Sequence, residues 1–427
     1  MSAANSHQFK FADGLRGIAA LQVVFSHYAS VFLPLFGHST PIQHFAVEKW
    51  LSTSPFLFLI DGGTAVAVFF VISGFVLSRS FSASEAPVGA LAIKRFARLF
   101  LPVAIACVVS WVMFAVAPEM RDALRAATGT GTMGDGYEIT YTLGAFAYET
   151  LLGSMAFGYH GVSLFDEVRA LQLAPMVASV NPPFWTLHFE LWGSMLVLAL
   201  TWLRKHTRGW LFALSLAGAL WATGTSSYLL FVVGFLLERV VRSRALPTGV
   251  VAMIVGGLLI VAGEFVGVTK GEGHVNGLFL WASQYTLGKA FNPFVFQSTV
   301  AGIAIFAGVL LCAPVRRVLS AGWALSLGRL SFGMYLFHFP VLVLVGGAAF
   351  FLTTPWGYGL AVTVAFAGGL ATSVWLAHYF DLRIDSWAIG KAKLAGDFAS
   401  RILAPSSKGS SELPLLPRER ASWWADD

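Results

Sequence analysis

Two side chains near the start of the chain have the types and the spacing to share one substrate. Residues 11–28 read F-A-D-G-L-R-G-I-A-A-L-Q-V-V-F-S-H-Y, and ten residues separate Arg16 from His27. At about 100° per residue the eleven-residue step closes about three turns, so on a helix both lie on one face, ~16 Å apart along the axis. A guanidinium is a permanent cation that forks onto phosphate or carboxylate oxygens. An imidazole titrates near neutrality and is the side chain most often used as a general base. The two cannot touch, but an elongated molecule with an anionic end could touch both. Arg16 also has a simpler reading, as a basic flank that orients a membrane span. His27 leaves less room for one, because an ionisable ring inside an apolar run is costly and lines a cavity or finds a partner.

Four further segments carry polar groups where they are expensive. Residues 69–79, F-F-V-I-S-G-F-V-L-S-R, put Ser73 and Gly74 near the end of an apolar stretch, where small residues pack helices closely or meet a substrate. Residues 94–102, K-R-F-A-R-L-F-L-P, put Arg95 and Arg98 on one helix face, able to clamp phosphate oxygens or simply to orient the chain. Residues 181–193, N-P-P-F-W-T-L-H-F-E-L-W-G, start a helix after two prolines and carry Glu190 about two turns inside. His188 and Glu190 point ~200° apart on that helix, so they make no metal-ligand pair. Residues 331–340, S-F-G-M-Y-L-F-H-F-P, place Tyr335 and His338 three apart, as a hydrogen-bonded pair or as substrate contacts. His378 reads as structural. A serine nucleophile is unsupported: there is no G-x-S-x-G elbow, and Ser26 points to another face than His27.

Membrane helices must position these groups. Of 427 residues 56% are hydrophobic and 12% charged, with mean hydropathy +0.71, the composition of an all-α polytopic membrane protein. Cys107 and Cys312 both fall in apolar stretches, suggesting neither a disulfide framework nor a zinc site, and no metal is expected. The formal charge of +6 collects at membrane edges and needs no nucleic acid to explain it. Span-length apolar stretches fall at about 14–36, 56–78, 97–117, 184–203, 208–223, 226–239, 248–268, 294–313, 324–350 and 357–380, giving about ten transmembrane helices. Counting the weaker stretch 139–158 as another span would expel Arg204, Lys205 and Arg208 from the basic side. Residues 118–183 are therefore expected as one large external loop with interfacial or re-entrant helix, and both termini as cytoplasmic. Residues 1–393 make the membrane domain, opening on an uncleaved first span, and 394–427 a disordered cytoplasmic tail. There is no repeat of 20 to 50 residues and no second soluble domain.

Five of these segments, in order over residues 11–383, resemble the acyltransferase 3 family of integral membrane acyltransferases. Asp13 to Gly17 through His27 is similar to its R-x10-H signature, residues 69–75 to its F-F-x-x-S-G-F, Arg95 and Arg98 to its cytoplasmic R-x-x-R, residues 184–190 to its W-S-L-x-x-E, and residues 331–340 to its S-Y-x-x-Y-L-x-H-x-P. One departure lies after the last span, where the family often has Glu followed by Pro and this chain offers Asp381 and no Pro. A stand-alone form is expected, without the soluble domain some members carry there. The resemblance implies transfer of an acyl group, often acetyl, from cytoplasmic acyl-CoA to a hydroxyl of a carbohydrate or lipid-linked acceptor of the cell envelope, in a bacterial cytoplasmic membrane. On that basis His27 is expected as general base and Glu190 as the group that orients it or positions the acceptor. Arg16, Arg95 and Arg98 are expected to hold CoA phosphates, and Ser73, Tyr335 and His338 to contact substrate. A secondary transporter or flippase using His27, Glu190 and His338 as a proton or substrate path is the rival; no inverted repeat or paired broken helices support it.

Overall fold

A bilayer offers backbone amides no partners, so apolar stretches of this length satisfy them internally, as helices. The computed structural model describes residues 9–133, 142–168, 173–242, 245–269, 273–283 and 292–403. Every one of the ten stretches is helical: α1 (Lys10–Phe32), α2 (Gly62–Ala83), α3 (Val88–Val116), α4 (Trp185–His206), α5 (Gly209–Thr223), α6 (Tyr228–Arg242), α7 (Val250–Val268), α8 (Pro293–Leu311), α9 (Gly322–Val341) and α10 (Tyr358–Phe380). A further helix, α11 (Ser386–Leu403), follows a wide-turn segment at Asp381–Asp385.

Among the described residues seven helical runs are long and apolar enough to cross a membrane: Gly62–Ala83, Val88–Val116, Pro182–His206, Val250–Val268, Pro293–Leu311, Gly322–Trp356 and Tyr358–Leu403. The difference from ten has a physical cause. α1 is long enough but is interrupted by Arg16, Gln22, Ser26, His27 and Ser30. α5 and α6 have 15 residues each, about 22 Å against a hydrocarbon core of about 30 Å. The protein is a polytopic helical membrane protein. The tail differs too: α11 packs along α3 and is helical to Leu403, and residues 404–427 lie outside the described residues.

Without a hydrophobic force between helices in lipid, close approach depends on small residues. α1 crosses α9 where Gly17 faces the backbone at Gly328; a Cβ on either glycine would overlap the other helix. Gly74 of α2 meets Gly234 and Phe231 of α6 in the same way, and stacked phenylalanines, Phe70 on Phe231 among them, fill the space beyond. Gly74 thus packs helices, while Ser73 beside it faces the other way, into the site.

The segment between α3 and α4 is tied down by buried polar groups. The Glu149 carboxylate accepts hydrogen bonds from the Ser179 hydroxyl (2.5 Å), the Tyr159 hydroxyl (3.0 Å) and the Val180 amide (3.2 Å). Burial nevertheless outweighs these bonds and pushes its carboxyl above the usual range. His188 accepts from the Leu164 amide at 3.1 Å and meets the Met155 carbonyl at 3.1 Å, so both ring nitrogens are engaged in holding residues 155–164 on α4. Tyr137 and Tyr141 of this segment lie outside the described residues.

Candidate active site

Six of the eight expected site residues come together in one cavity of about 850 Å³, whose lining includes Arg16, Ser73, Arg95, Arg98, Glu190 and Tyr335. It is built on the first turns of α1, the middle of α2 from Val66 to Leu77, the start of α3, of α4 and of α9, and the wide-turn segment after α10. Lys10 and Arg329 add two more cations to its lining. Cations from helices far apart in sequence thus surround one volume, an arrangement suited to a polyanionic ligand.

The arginines carry their own carboxylates. Arg95 forms an ion pair with Glu190 and donates from Nε to Ser194 Oγ at 2.9 Å, while Ser73 Oγ donates to Glu190 Oε1 at 2.9 Å. Arg98 makes a two-pronged pair with Asp385, at 2.7 and 2.9 Å. Arg16 lies 3.4 Å from Asp13, which is more than half exposed and so screened by water. Asp381 also lines the cavity, but the partner of Arg98 is Asp385, one turn further on; sequence reading missed it, along with Ser194.

The two histidines lie beyond this cavity and touch each other. His338 Nε2 is 3.4 Å from His27 Nδ1, with ring centroids 4.9 Å apart and planes at 62°. His27 is half-buried, whereas His338 has no exposed surface. Tyr335, one turn before His338, lines the basic cavity, and its hydroxyl is held by Thr186 Oγ1 at 2.5 Å and the Pro183 carbonyl. Glu190 bonds to Ser73 and Arg95, while His27 meets the Val23 carbonyl at 2.9 Å and His338.

A second cavity, about 490 Å³, is built on the first half of α2 and the ends of α7, α8 and α4. Ser26, next to His27, lines it, together with His38, Asp61, Trp185 and Ser298. The cavities share two wall residues, Val66 and Phe70.

Fold and site together define a polytopic helical membrane protein with a cation-lined cavity bounded by Tyr335, a smaller, hydroxyl-bearing cavity bounded by Ser26, and an imidazole pair formed by His27 and His338, close to those two residues in sequence. The chain belongs to the acyltransferase 3 family, whose acyltransferase domain matches residues 9–378, and is an acyltransferase. Comparison with curated proteins and with solved structures gave no match.

Proposed function

We propose that the protein takes an acyl group, acetyl in the first instance, from acyl-CoA entering the basic cavity from the cytoplasm. The group passes to a hydroxyl of a carbohydrate or lipid-linked acceptor of the cell envelope, with His27 as general base, in a bacterial cytoplasmic membrane. The observation that carries this reading is the cation-lined cavity of about 850 Å³, whose wall includes Tyr335, with its ring centroid 5.8 Å from that of His338 in the imidazole pair. The phosphates of CoA suit Arg16, Arg98 and the neighbouring cations at one end, and a pantetheine arm suits the apolar wall formed by Val66, Phe69 and Leu187. Ser73 and Glu190 fix Arg95 within that wall.

An alcohol becomes an adequate nucleophile as its proton is removed. Its oxygen attacks the thioester carbonyl carbon while the proton passes to the imidazole of His27. The new C–O bond forms, the C–S bond breaks, and the departing thiolate takes the proton from the imidazolium, leaving the ester and free CoA thiol. Thiol release from acetyl-CoA in the presence of an envelope extract measures the reaction. The expected result is that His27→Ala slows it by roughly 10²- to 10⁴-fold at unchanged protein level. A wild-type rate in that variant overturns the assignment.

A further inference from the structure

His338 has no surface with which to meet a substrate, yet it is the side chain that His27 touches. Its ring atoms leave one proton arrangement. Nδ1 of His338 lies 2.7 Å from the Tyr335 carbonyl and 3.2 Å from the Met334 carbonyl, both acceptors, so Nδ1 carries the hydrogen. Nε2 of His338 is then a bare lone pair, and it faces His27 Nδ1. That nitrogen also faces the Val23 carbonyl at 2.9 Å. Two acceptors converge on one atom, so His27 Nδ1 carries a hydrogen shared between them. The opposite arrangement would set a lone pair of each ring against a carbonyl oxygen.

We infer that His338 is a positioning residue, which holds His27 with Nδ1 protonated and Nε2 bare, making Nε2 the atom that receives the proton of the acceptor hydroxyl. This inference rests on the proposed role of His27 as base. The pair works as a neutral counterpart of the carboxylate–histidine arrangement, in which a second group fixes the tautomer and meets the charge that appears on the imidazolium. When Nε2 takes the proton, the positive charge spreads to Nδ1–H, and the His338 lone pair already faces it. The angle of 62° between the rings fits an N–H directed at a lone pair better than a stack of two faces. The arrangement reaches across helices: His27 is on α1 and His338 on α9, 311 residues apart, brought together by the glycine crossing at Gly17 and Gly328.

The test uses full-length protein labelled with ¹⁵N-histidine in lipid bilayers, with the two rings assigned from the signals lost in His27→Asn and His338→Gln. Solid-state NMR should show both rings protonated at Nδ1 and bare at Nε2; a His27 ring protonated at Nε2 overturns the inference. Thiol release from acetyl-CoA gives the second readout. His338→Gln, whose Oε1 can accept where Nε2 does, should keep kcat within about tenfold of wild type. His338→Phe, which fills the volume without an acceptor, should lose a further tenfold or so, with the acetyl-CoA KM changed less than about twofold in both. Equal kcat in the two variants, or a rise in KM in place of a fall in kcat, overturns it. The NMR result on wild-type protein stands even if the Phe variant does not fold. It also separates this inference from the assignment of His27 as base, which fails only on the His27→Ala rate.

Discussion

Arg98 comes to the basic cavity already holding a carboxylate. Its two-pronged bond to Asp385 leaves a near-neutral unit in which the guanidinium is aimed but partly occupied, so an incoming phosphate competes with Asp385 for it. Opposite effects are therefore expected from the two partners. Arg98→Gln should raise the acyl-CoA KM, and Asp385→Asn should lower it, each by up to about tenfold, the scale of one charge-assisted hydrogen bond. Steady-state thiol release against acyl-CoA concentration checks this, and a rise in KM in both variants would mean the pair is only a tie between α3 and the wide-turn segment after α10. The spacing of Arg95 and Arg98 was legible because it is local and helical. Their partners were not: Asp385 is 287 residues from Arg98, and the sequence offers several carboxylates with no rule to choose among them. Glu190 was legible as an expensive carboxylate inside a span, and the expense is offset by Arg95 and Ser73 rather than by a histidine.

α9 shows how a helix with a proline in it is kept continuous beside the site. Pro340 has no amide hydrogen, so the Leu336 carbonyl loses its partner within the helix. Asn181, at the start of the helical run into α4, donates from Nδ2 to that carbonyl at 2.9 Å, and to Ser110 Oγ of α3 at 3.2 Å. One amide thus ties three helices at the level of His338. Asn181→Leu should lower stability by about 1–3 kcal/mol, the cost of leaving a buried carbonyl unpaired. Adding Pro340→Ala should recover part of that loss by restoring the helical N–H. Thermal unfolding in detergent measures both, and a double variant no more stable than Asn181→Leu alone would remove this explanation. The residues of this arrangement were visible in sequence as N-P-P-F-W and H-F-P. Their contact was not, since nothing local states which proline-freed carbonyl an asparagine 155 residues away will meet. His188 was similarly ambiguous beside Glu190, and became a structural tie only once the segment it holds was seen folded over α4.

At the scale of the whole molecule, hydropathy located all ten helices, because each needs only its own apolar residues to form. It overcounted full-length spans where a helix is short, as in α5 and α6, since length in a bilayer is set by neighbours as well as by composition. The continuation of α10 into α11 escaped the reading because α11 mixes Lys391, Lys393 and Arg401 with its apolar residues. What sequence could not hint at was two cavities along α2 that share Val66 and Phe70 as wall residues. In the proposed function that shared wall would have a second task, to act as an electrical insulator between the two cavities. With the proposed donor on one side and the proposed acceptor on the other, the two must come within bonding distance while no water-filled proton path opens between the cavities. Phe70 is buried, tilted against Phe189 and stacked on Phe231, so its position is well braced. Replacing both Val66 and Phe70 by Ala is expected to let protons through: proteoliposomes holding the double variant should dissipate an imposed pH difference at least several times faster than wild type, read with an internal pH dye. An unchanged leak would show that the seal lies elsewhere.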